Sequence, residues 1–450
     1  MSTRATRLDL FNFSAVSTRV FHLTWMAFFV CFFAWFAVAP LMPVIRTEFG
    51  LNKDQIANIN IAAVLVTILV RLVVGPLCDR YGPRRTYSAL LALGALPVMG
   101  IALVHSYGAF LFFRLLIGAI GASFVITQFH TSVMFAPNVV GTANAASAGW
   151  GNAGGGATQA LMPLILGAIV MLGVEQSLGW RIAMLVPGTA MLIMSVVYYR
   201  YTQDFPEGNI EDLPAPVIAQ YSGGKGMQSF LAAARDYRVW MLFVTYAACF
   251  GVELTIHNLA AVYYVDRFGL DLRTAGIYAG CFGLLALFAR ATGGILSDRV
   301  ASARGLDGRT SLLFVLIFLE GVGLMMFSQM NTAVAAFASM LIFGLFTHMS
   351  CGATYALVPF VNRKALGGVA GIIGAGGNVG AVLAGFLMKG VATTQQGLAI
   401  LGAAVTLSAV CAIAVRFSMA QKLEERALFN GAVQARQMNS ADGAAEAAAG

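Results

Sequence analysis

Apolar stretches of about 20 residues follow one another along almost the whole chain, separated by short polar or basic turns. A stretch of that length is what an α-helix needs to cross a bilayer. Twelve are present, at about 21–45, 56–77, 87–104, 109–134, 143–172, 180–200, 239–264, 274–296, 311–328, 332–358, 366–389 and 395–416. They are too long for barrel strands and lack strand alternation, so helices are expected. With 59% hydrophobic and only 11% charged residues among 450, a soluble domain could not cover its surface. The expected fold class is an all-α membrane protein with twelve transmembrane helices. The first 20 residues are polar and basic and the apolar run after them is too long for a signal peptide, so no cleavable leader is expected.

The net charge of +8 would suit a nucleic-acid partner, but its distribution points elsewhere. With both termini inside, the cytoplasmic turns hold most of the basic residues, among them Arg80, Arg84, Arg85, Arg200, Lys225, Arg299, Arg304, Arg363, Lys364 and Arg416. The opposite side has only Arg46, Lys53, Arg181, Arg267, Arg273 and Lys389. This bias sets orientation in a cytoplasmic (inner) membrane and implies a lipid bilayer, with no nucleic acid. The six cysteines, Cys31, Cys78, Cys249, Cys281, Cys351 and Cys411, show no metal-ligand spacing, so packing is their expected role and no cofactor or metal is expected.

Residues 203–237 interrupt the apolar pattern with Pro206, Pro214, Pro216, several acids and the run SGGKG at Ser222–Gly226. They read as a cytoplasmic linker. The division expected is a cytoplasmic N-terminus at 1–20, a six-helix bundle at 21–201, the linker at 202–237, a second bundle at 238–418 and a cytoplasmic tail at 419–450. The tail is alanine-rich and expected to be disordered from about Asn439.

Internal repetition supports the two halves. RLVVGPLCDR, from Arg71 to Arg80, returns 219 positions later as RATGGILSDR, from Arg290 to Arg299. AGWGNAGGG at Ala148–Gly156 returns as GAGGNVGAV at Gly374–Val382, which sets Asn152 against Asn378 and Gly151 against Gly377. A loop after Asp298–Arg299 longer than the one after Asp79–Arg80 accounts for the different offset. An arginine inside a membrane helix costs several kcal/mol, so it is rare without a function or a partner. Two related by repetition imply one anion site built from two halves near the midplane. Arg71 lies roughly 12 Å along the helix from Asp79, by helical rise.

Helix 7 adds Glu253 and His257. Tyr246, Phe250, Glu253 and His257 step by four, three and four, which places them on one helical face. An intramembrane carboxylate is a proton-carrier candidate or the partner of an arginine. Glu320, His130 and His348 are weaker candidates, each reading more simply as a satisfied interior group.

GPLCDRYGPRRT at Gly75–Thr86 resembles the loop motif that major facilitators carry between helices 2 and 3, and GGILSDRV at Gly293–Val300 is its second-half echo. The motif implies a close helix contact and a cytoplasmic gate at Asp79, Arg80, Arg84, Asp298 and Arg299. Arg114, in RLLIG, also resembles a superfamily feature with a structural or gating role. SAGWGNAGGGATQ and GIIGAGGNVGAVLAG resemble the paired signatures of the nitrate/nitrite porter family. FGVELT, DRFGLDLRTAG and CGATYALVPFVNRKALG carry the same likeness, on the assimilatory high-affinity branch, over about residues 25–415. The resemblance implies that Arg71, Arg290, Asn152, Asn378, Gly151 and Gly377 bind substrate, with Phe124 and Tyr246 as aromatic walls. A planar guanidinium pairs its donors with a flat anion better than an ammonium does.

The implied activity is secondary active transport of nitrate, with nitrite as a further substrate, by a chain that works as a monomer. Moving one anion into an inside-negative cell costs about 2.3 kcal/mol per 100 mV. Uptake therefore needs at least two protons per anion, or exchange for an outgoing anion. Two arginines alone would also suit a carboxylate porter or a non-transporting sensor. A membrane enzyme or electron carrier is disfavoured, since no paired His suits haem and no Cys cluster suits iron–sulfur.

Overall fold

A computed structural model of the chain describes residues 4–136, 139–214, 216–218, 226–362, 365–423 and 426. The glycine-rich run 222–225 of the linker, the basic positions Lys225, Arg363 and Lys364, and the alanine-rich end of the tail lie outside the described residues.

The described chain is helical almost throughout: α1 (Val16–Phe36), α2 (Met42–Phe49), α3 (Lys53–Tyr81), α4 (Pro83–Gly100), α5 (Tyr107–Ile117), α6 (Ser123–Met134), α7 (Val140–Met171), α8 (Gln176–Tyr201), α9 (Gly226–Ala234), α10 (Tyr237–Phe268), α11 (Leu272–Leu284), α12 (Ala286–Ser328), α13 (Ala333–Val361), α14 (Leu366–Gly390), α15 (Thr394–Ser408) and α16 (Val410–Ala414). Short polar turns start these helices through side-chain caps. Asn52 and Gln55 form a reciprocal capping box on α3, and Asp271 accepts from the Thr274 N–H on α11.

Among the described residues, eleven helical stretches are long and apolar enough to cross a membrane. The surface is inverted relative to a soluble protein. Leu69, Leu72, Leu93, Leu103 and Leu407 are exposed, while Arg71, Arg114, Glu253, Arg290 and Asn378 are buried. Apolar side chains outward and satisfied backbone inward is the arrangement a bilayer demands, so the chain is a multi-pass membrane protein.

The two stretches read from the sequence as 274–296 and 311–328 lie on helices that follow each other across a kink at Gly305, within the 57 residues of Leu272–Ser328. The connection VASARGLDGRT, expected as a loop, is helical on both sides of Gly305. Only Gly305, at φ 60° and ψ −150°, departs from helical geometry and turns the chain. A straight helix of that length would span roughly 85 Å, nearly three bilayer cores. The linker also holds the helix α9, which no apolar period announced.

Helix α1 packs along α7 and α4 along α8, while α10 packs along α14 and α12 along both α13 and α15. The early and late helices meet through α3 with α14 and α7 with α11. At the second of these contacts, glycine faces glycine. A Cβ on Gly156 would come within 2.5 Å of the Leu284 nitrogen and 2.8 Å of the Gly280 oxygen. Backbones this close gain dispersion contacts that larger residues would prevent.

Gly156→Val should therefore destabilise the protein by about 1–3 kcal/mol through overpacking. Gly167→Val, on the same helix where a Cβ meets nothing within 4 Å, should be nearly neutral. Thermal unfolding of the two purified variants in detergent checks this, and equal melting temperatures would contradict the packing account.

Candidate functional site

Arg71 on α3 and Arg290 on α12 both reach the interior, at 9% and 6% exposure. They come together around two tyrosines, Tyr246 on α10 and Tyr355 on α13, whose rings lie 5.1 Å apart. Tyr355 sits within electrostatic reach of both guanidinium groups. Phe124 packs edge-on against Tyr355 at 6.1 Å, and its ring lies 5.6 Å from the Arg71 guanidinium. Phe250 stacks on Tyr246 at 5.2 Å and lies 5.4 Å from the Arg290 guanidinium. Each arginine thus has one aromatic face beside it, a cation–π arrangement.

The two arginines differ in their partners. Arg290 donates from Nη2 to Glu253 Oε2 at 2.5 Å. It also meets Asn152, whose amide oxygen must face the guanidinium, because the amide nitrogen is itself a donor. In that orientation the oxygen accepts from Nη2 at 2.6 Å, Nε at 3.0 Å and Nη1 at 3.1 Å. Arg71 donates from Nη1 to the Gly374 carbonyl at 2.8 Å and weakly from Nη2 to the Gly121 carbonyl at 3.5 Å. Its Nε has no partner, and no carboxylate pairs with it among the described residues. A buried cation without a counter-charge is costly.

The Asn pair splits in the same way. Asn152 is engaged with Arg290, whereas Asn378 is fully buried and neither its oxygen nor its nitrogen has a hydrogen-bond partner. Gly151 and Gly377 do keep an equivalence. A Cβ on Gly151 would run into the Phe28 ring, and one on Gly377 into the Phe250 ring. The close approach these glycines allow is to a ring on α1 and a ring on α10, which positions the aromatic walls.

Glu253 is entirely buried and lies on the same face as Tyr246 and Phe250. Its Oε2 also lies 3.4 Å from His348 Nδ1 and 3.7 Å from Cys351 Sγ. His257, one turn further on, packs between the rings of Phe36 and Phe282, and neither ring nitrogen has a hydrogen-bond partner. His130 is satisfied elsewhere, by Tyr198 and the Gln203 carbonyl. Arg114 donates to the Trp35 carbonyl at 2.6 Å and to Asn258 at 2.9 Å, which links α5 to α10.

The expected gate is built differently from the sequence motif. Asp79 and Arg80 are exposed and form no ion pair among the described residues, because α3 continues as a helix to Tyr81 and carries both outward. Asp298 pairs with Arg309 at 2.7 Å within its own helical run, and Arg299 is exposed. The contact that holds the first motif comes from Asp204, in the linker. It accepts from the backbone N–H groups of Arg84 at 2.8 Å and Ile210 at 3.1 Å, beside Gly82 at φ 81°. Burial pushes the Asp204 carboxyl above its ordinary value, against the pull of those two donors. Arg84 also reaches the Tyr199 carbonyl.

Asp204 and Tyr355 were missed from the sequence. Tyr355 stands in the CGATYALVPF segment already marked by resemblance, whereas nothing local marks Asp204.

Several polar contacts between the early and late helices lie at the arginine level or toward the Gly50 and Gly269 end. They include Arg46 with Asp266 at 2.5 and 2.6 Å, Gln159 with the His257 carbonyl at 2.5 Å, and Lys389 with Asn58 at 3.3 Å. A cavity of about 320 Å³ opens toward that end beside Lys53, Asn60, Thr255 and Asn258, and includes neither Arg71 nor Arg290.

The family model described as Major Facilitator Superfamily matches residues 24–385. The chain is 38% identical over 419 residues to "High affinity nitrate transporter 2.5" of Arabidopsis thaliana, covering 92% of this chain and 82% of that protein. It is 39% identical over 389 residues to "High-affinity nitrate transporter 2.3" of Oryza sativa subsp. japonica, covering 85% and 74%. The solved structure of a D-xylose–proton symporter superposes with a TM-score of 0.67 at 12% identity, over 88% of this chain and 97% of that one, a likeness of fold alone. The chain belongs to the Major Facilitator Superfamily and, within it, to the nitrate/nitrite porter family, on the branch of the high-affinity nitrate transporters.

Proposed function

We propose that this chain is a secondary transporter that moves nitrate, and nitrite, across the cytoplasmic membrane by alternating access, with uptake coupled to protons. The proposed architecture has twelve crossings in two six-helix bundles, 21–201 and 238–418, with the linker and both termini cytoplasmic. It is a transporter and not an enzyme, and works as a monomer. In this orientation the contacts from Arg46–Asp266 to Gln159–His257 close the outer side, as a state that faces inward or is occluded requires.

The observation that carries the reading is the unequal pair of buried arginines. Arg71 has carbonyl partners and no acid, while Arg290 is balanced by Glu253. With Glu253 ionised, the three groups sum to one positive charge, which one monoanion neutralises. Nitrate is flat, and its oxygens accept in one plane from guanidinium N–H groups. The Phe124 and Phe250 rings flank the two guanidiniums. Asn378, with an unpartnered amide, supplies a further donor.

The proton enters through Glu253. Ionised, it occupies Arg290 Nη2 and competes with an anion for that donor. Protonated, it releases the guanidinium, so proton and nitrate binding favour each other. Asp204 holds the cytoplasmic turn between α3 and α4 through the Arg84 N–H, and Arg309 pairs with Asp298 on the run that carries Arg290.

Arg71→Lys and Arg290→Lys should each reduce nitrate transport at least a hundredfold while the protein remains folded, since charge is kept but the planar fork is lost. Uptake of labelled nitrate into liposomes measures this, and wild-type rates in both variants would remove the proposed coordination. Asn152→Ala and Asn378→Ala should each weaken nitrate binding by about 1–3 kcal/mol, the scale of a buried hydrogen bond to a charged group. Titration calorimetry in detergent reads it, and unchanged affinity in both would assign these positions to packing. Glu253→Gln should mimic the protonated carboxyl. Nitrate affinity in the wild type should rise as pH falls, whereas the variant should bind nitrate with little pH dependence. It should exchange nitrate at equal pH yet lose most of its acceleration by an inward proton gradient. Gradient-driven uptake equal to wild type would leave anion exchange, or another proton carrier, as the mechanism.

A further inference from the structure

Glu320 lies in the second half of α12, fully buried, and neither of its carboxylate oxygens completes a hydrogen bond. It is the third buried member of a polar cluster that continues from the substrate arginine. Glu253 Oε2 touches Arg290 on one side and lies 3.4 Å from His348 Nδ1 on the other. His348 stands on α13 between Thr347 and Ser350, and the hydroxyls of Thr347 and Ser350 lie beside Glu320.

The other elements packed on α12 offer Glu320 no counter-charge. Helices α7, α15 and α16 contain no Asp, Glu, Lys, Arg or His. From α13 the titratable side chains are His348, Cys351 and Tyr355. From α10 the nearest charge is Glu253, of the same sign, with His257 one turn beyond. On α12 itself, Arg290 is held by Glu253 and Asn152, and Arg309 by Asp298. Helix α11 has a basic residue only at Arg273, by its outer end. A carboxylate so placed cannot remain ionised cheaply and takes up a proton instead.

His348 is held beside Glu253. Its Nε2 lies 3.1 Å from the Phe282 carbonyl, which fixes the proton on Nε2 and leaves Nδ1 with a lone pair toward Glu253. Nδ1 has no hydrogen-bond partner while Glu253 is ionised. A proton on Glu253 would complete the bond to Nδ1 and release Arg290 Nη2 in the same step.

We infer that Glu320 is a second proton-binding site of this transporter, beside the Thr347 and Ser350 hydroxyls that flank His348 in sequence. The inference rests on the proton-coupled reading above and deepens it. Two protons per nitrate are needed for uptake to be driven by an inside-negative potential. Glu253 and Glu320 are two carboxyls that can carry them. Each gains one proton at its carboxylate oxygen on the outer side and returns it on the inner side, with no other bond made or broken.

The test compares wild type, Glu320→Gln and Glu320→Asp in liposomes loaded for labelled-nitrate exchange, for uptake under an inward proton gradient, and for uptake under an inside-negative potassium potential. In the wild type both gradients should accelerate uptake. In Glu320→Gln, exchange should stay within about twofold of wild type and the proton gradient should still act. Acceleration by potential should disappear, because one proton per nitrate carries no net charge. Glu320→Asp should recover it in part. Potential-driven uptake in Glu320→Gln at the wild-type rate overturns the inference, and so does loss of exchange in both variants, which would make Glu320 structural. A wild-type protein indifferent to both gradients would remove proton coupling itself, and Glu320 with it. That outcome is distinct from the others because it appears before any substitution is made.

Discussion

Burying a guanidinium in a low-dielectric interior is the cost around which the rest of this molecule is arranged. Of the arginines buried between the early and late helices, Arg71 and Arg290 lie beside Tyr246 and Tyr355, and of these two only Arg290 has an acid beside it. Arg290 is held by Glu253 and by the Asn152 oxygen, so its charge is spent within the protein. Arg71 is held by carbonyl dipoles and an aromatic face, which reduce its desolvation penalty without cancelling its charge. This leaves net positive charge at one point of the fold, and in the proposed function an anion balances it. In the proposed reading the same imbalance ties proton occupancy to anion occupancy, since Glu253 competes for the Arg290 donor an anion would use.

Placing two charged side chains there requires helices that approach closely, and glycine makes that possible. Gly151 lies under Phe28 and Gly377 under Phe250, and Gly154 and Gly380 abut the backbone of α1 and α10 in the same relation. The glycine-rich signatures thereby set the positions of the aromatic rings that line the site. A methyl group at these places would displace a ring or a helix, and with it the register of Asn152 against Arg290. Packing and binding are therefore one constraint here, read at two distances from the ligand.

Much of this was legible in the sequence. The apolar runs, the internal repetition of Arg71 in Arg290 and Asn152 in Asn378, and the periodic face of α10 are all local signals: a bilayer selects helix length, and helical periodicity selects faces. The link VASARGLDGRT, expected as a loop from its polarity, turns the chain at Gly305 alone, with helix on either side. Asp204 was not legible at all, because the acid that caps the turn at Arg84 arrives 120 positions later from a segment with no motif of its own.

The sequence by itself determined that the chain spans a membrane many times, that it carries two repeated cationic positions, and that their surroundings match anion porters. Only the tertiary structure decided which arginine is neutralised, because Glu253 lies on one helix and both arginines on others, and nothing in their spacing says which will meet. It also decided that the paired asparagines are unequal, that Tyr355 joins Tyr246 between the arginines, and that His348 stands between Glu253 and the neighbourhood of Glu320. Local composition fixes what each helix can bury; which buried groups touch depends on how the helices pack, and a charge's partner is a matter of contact.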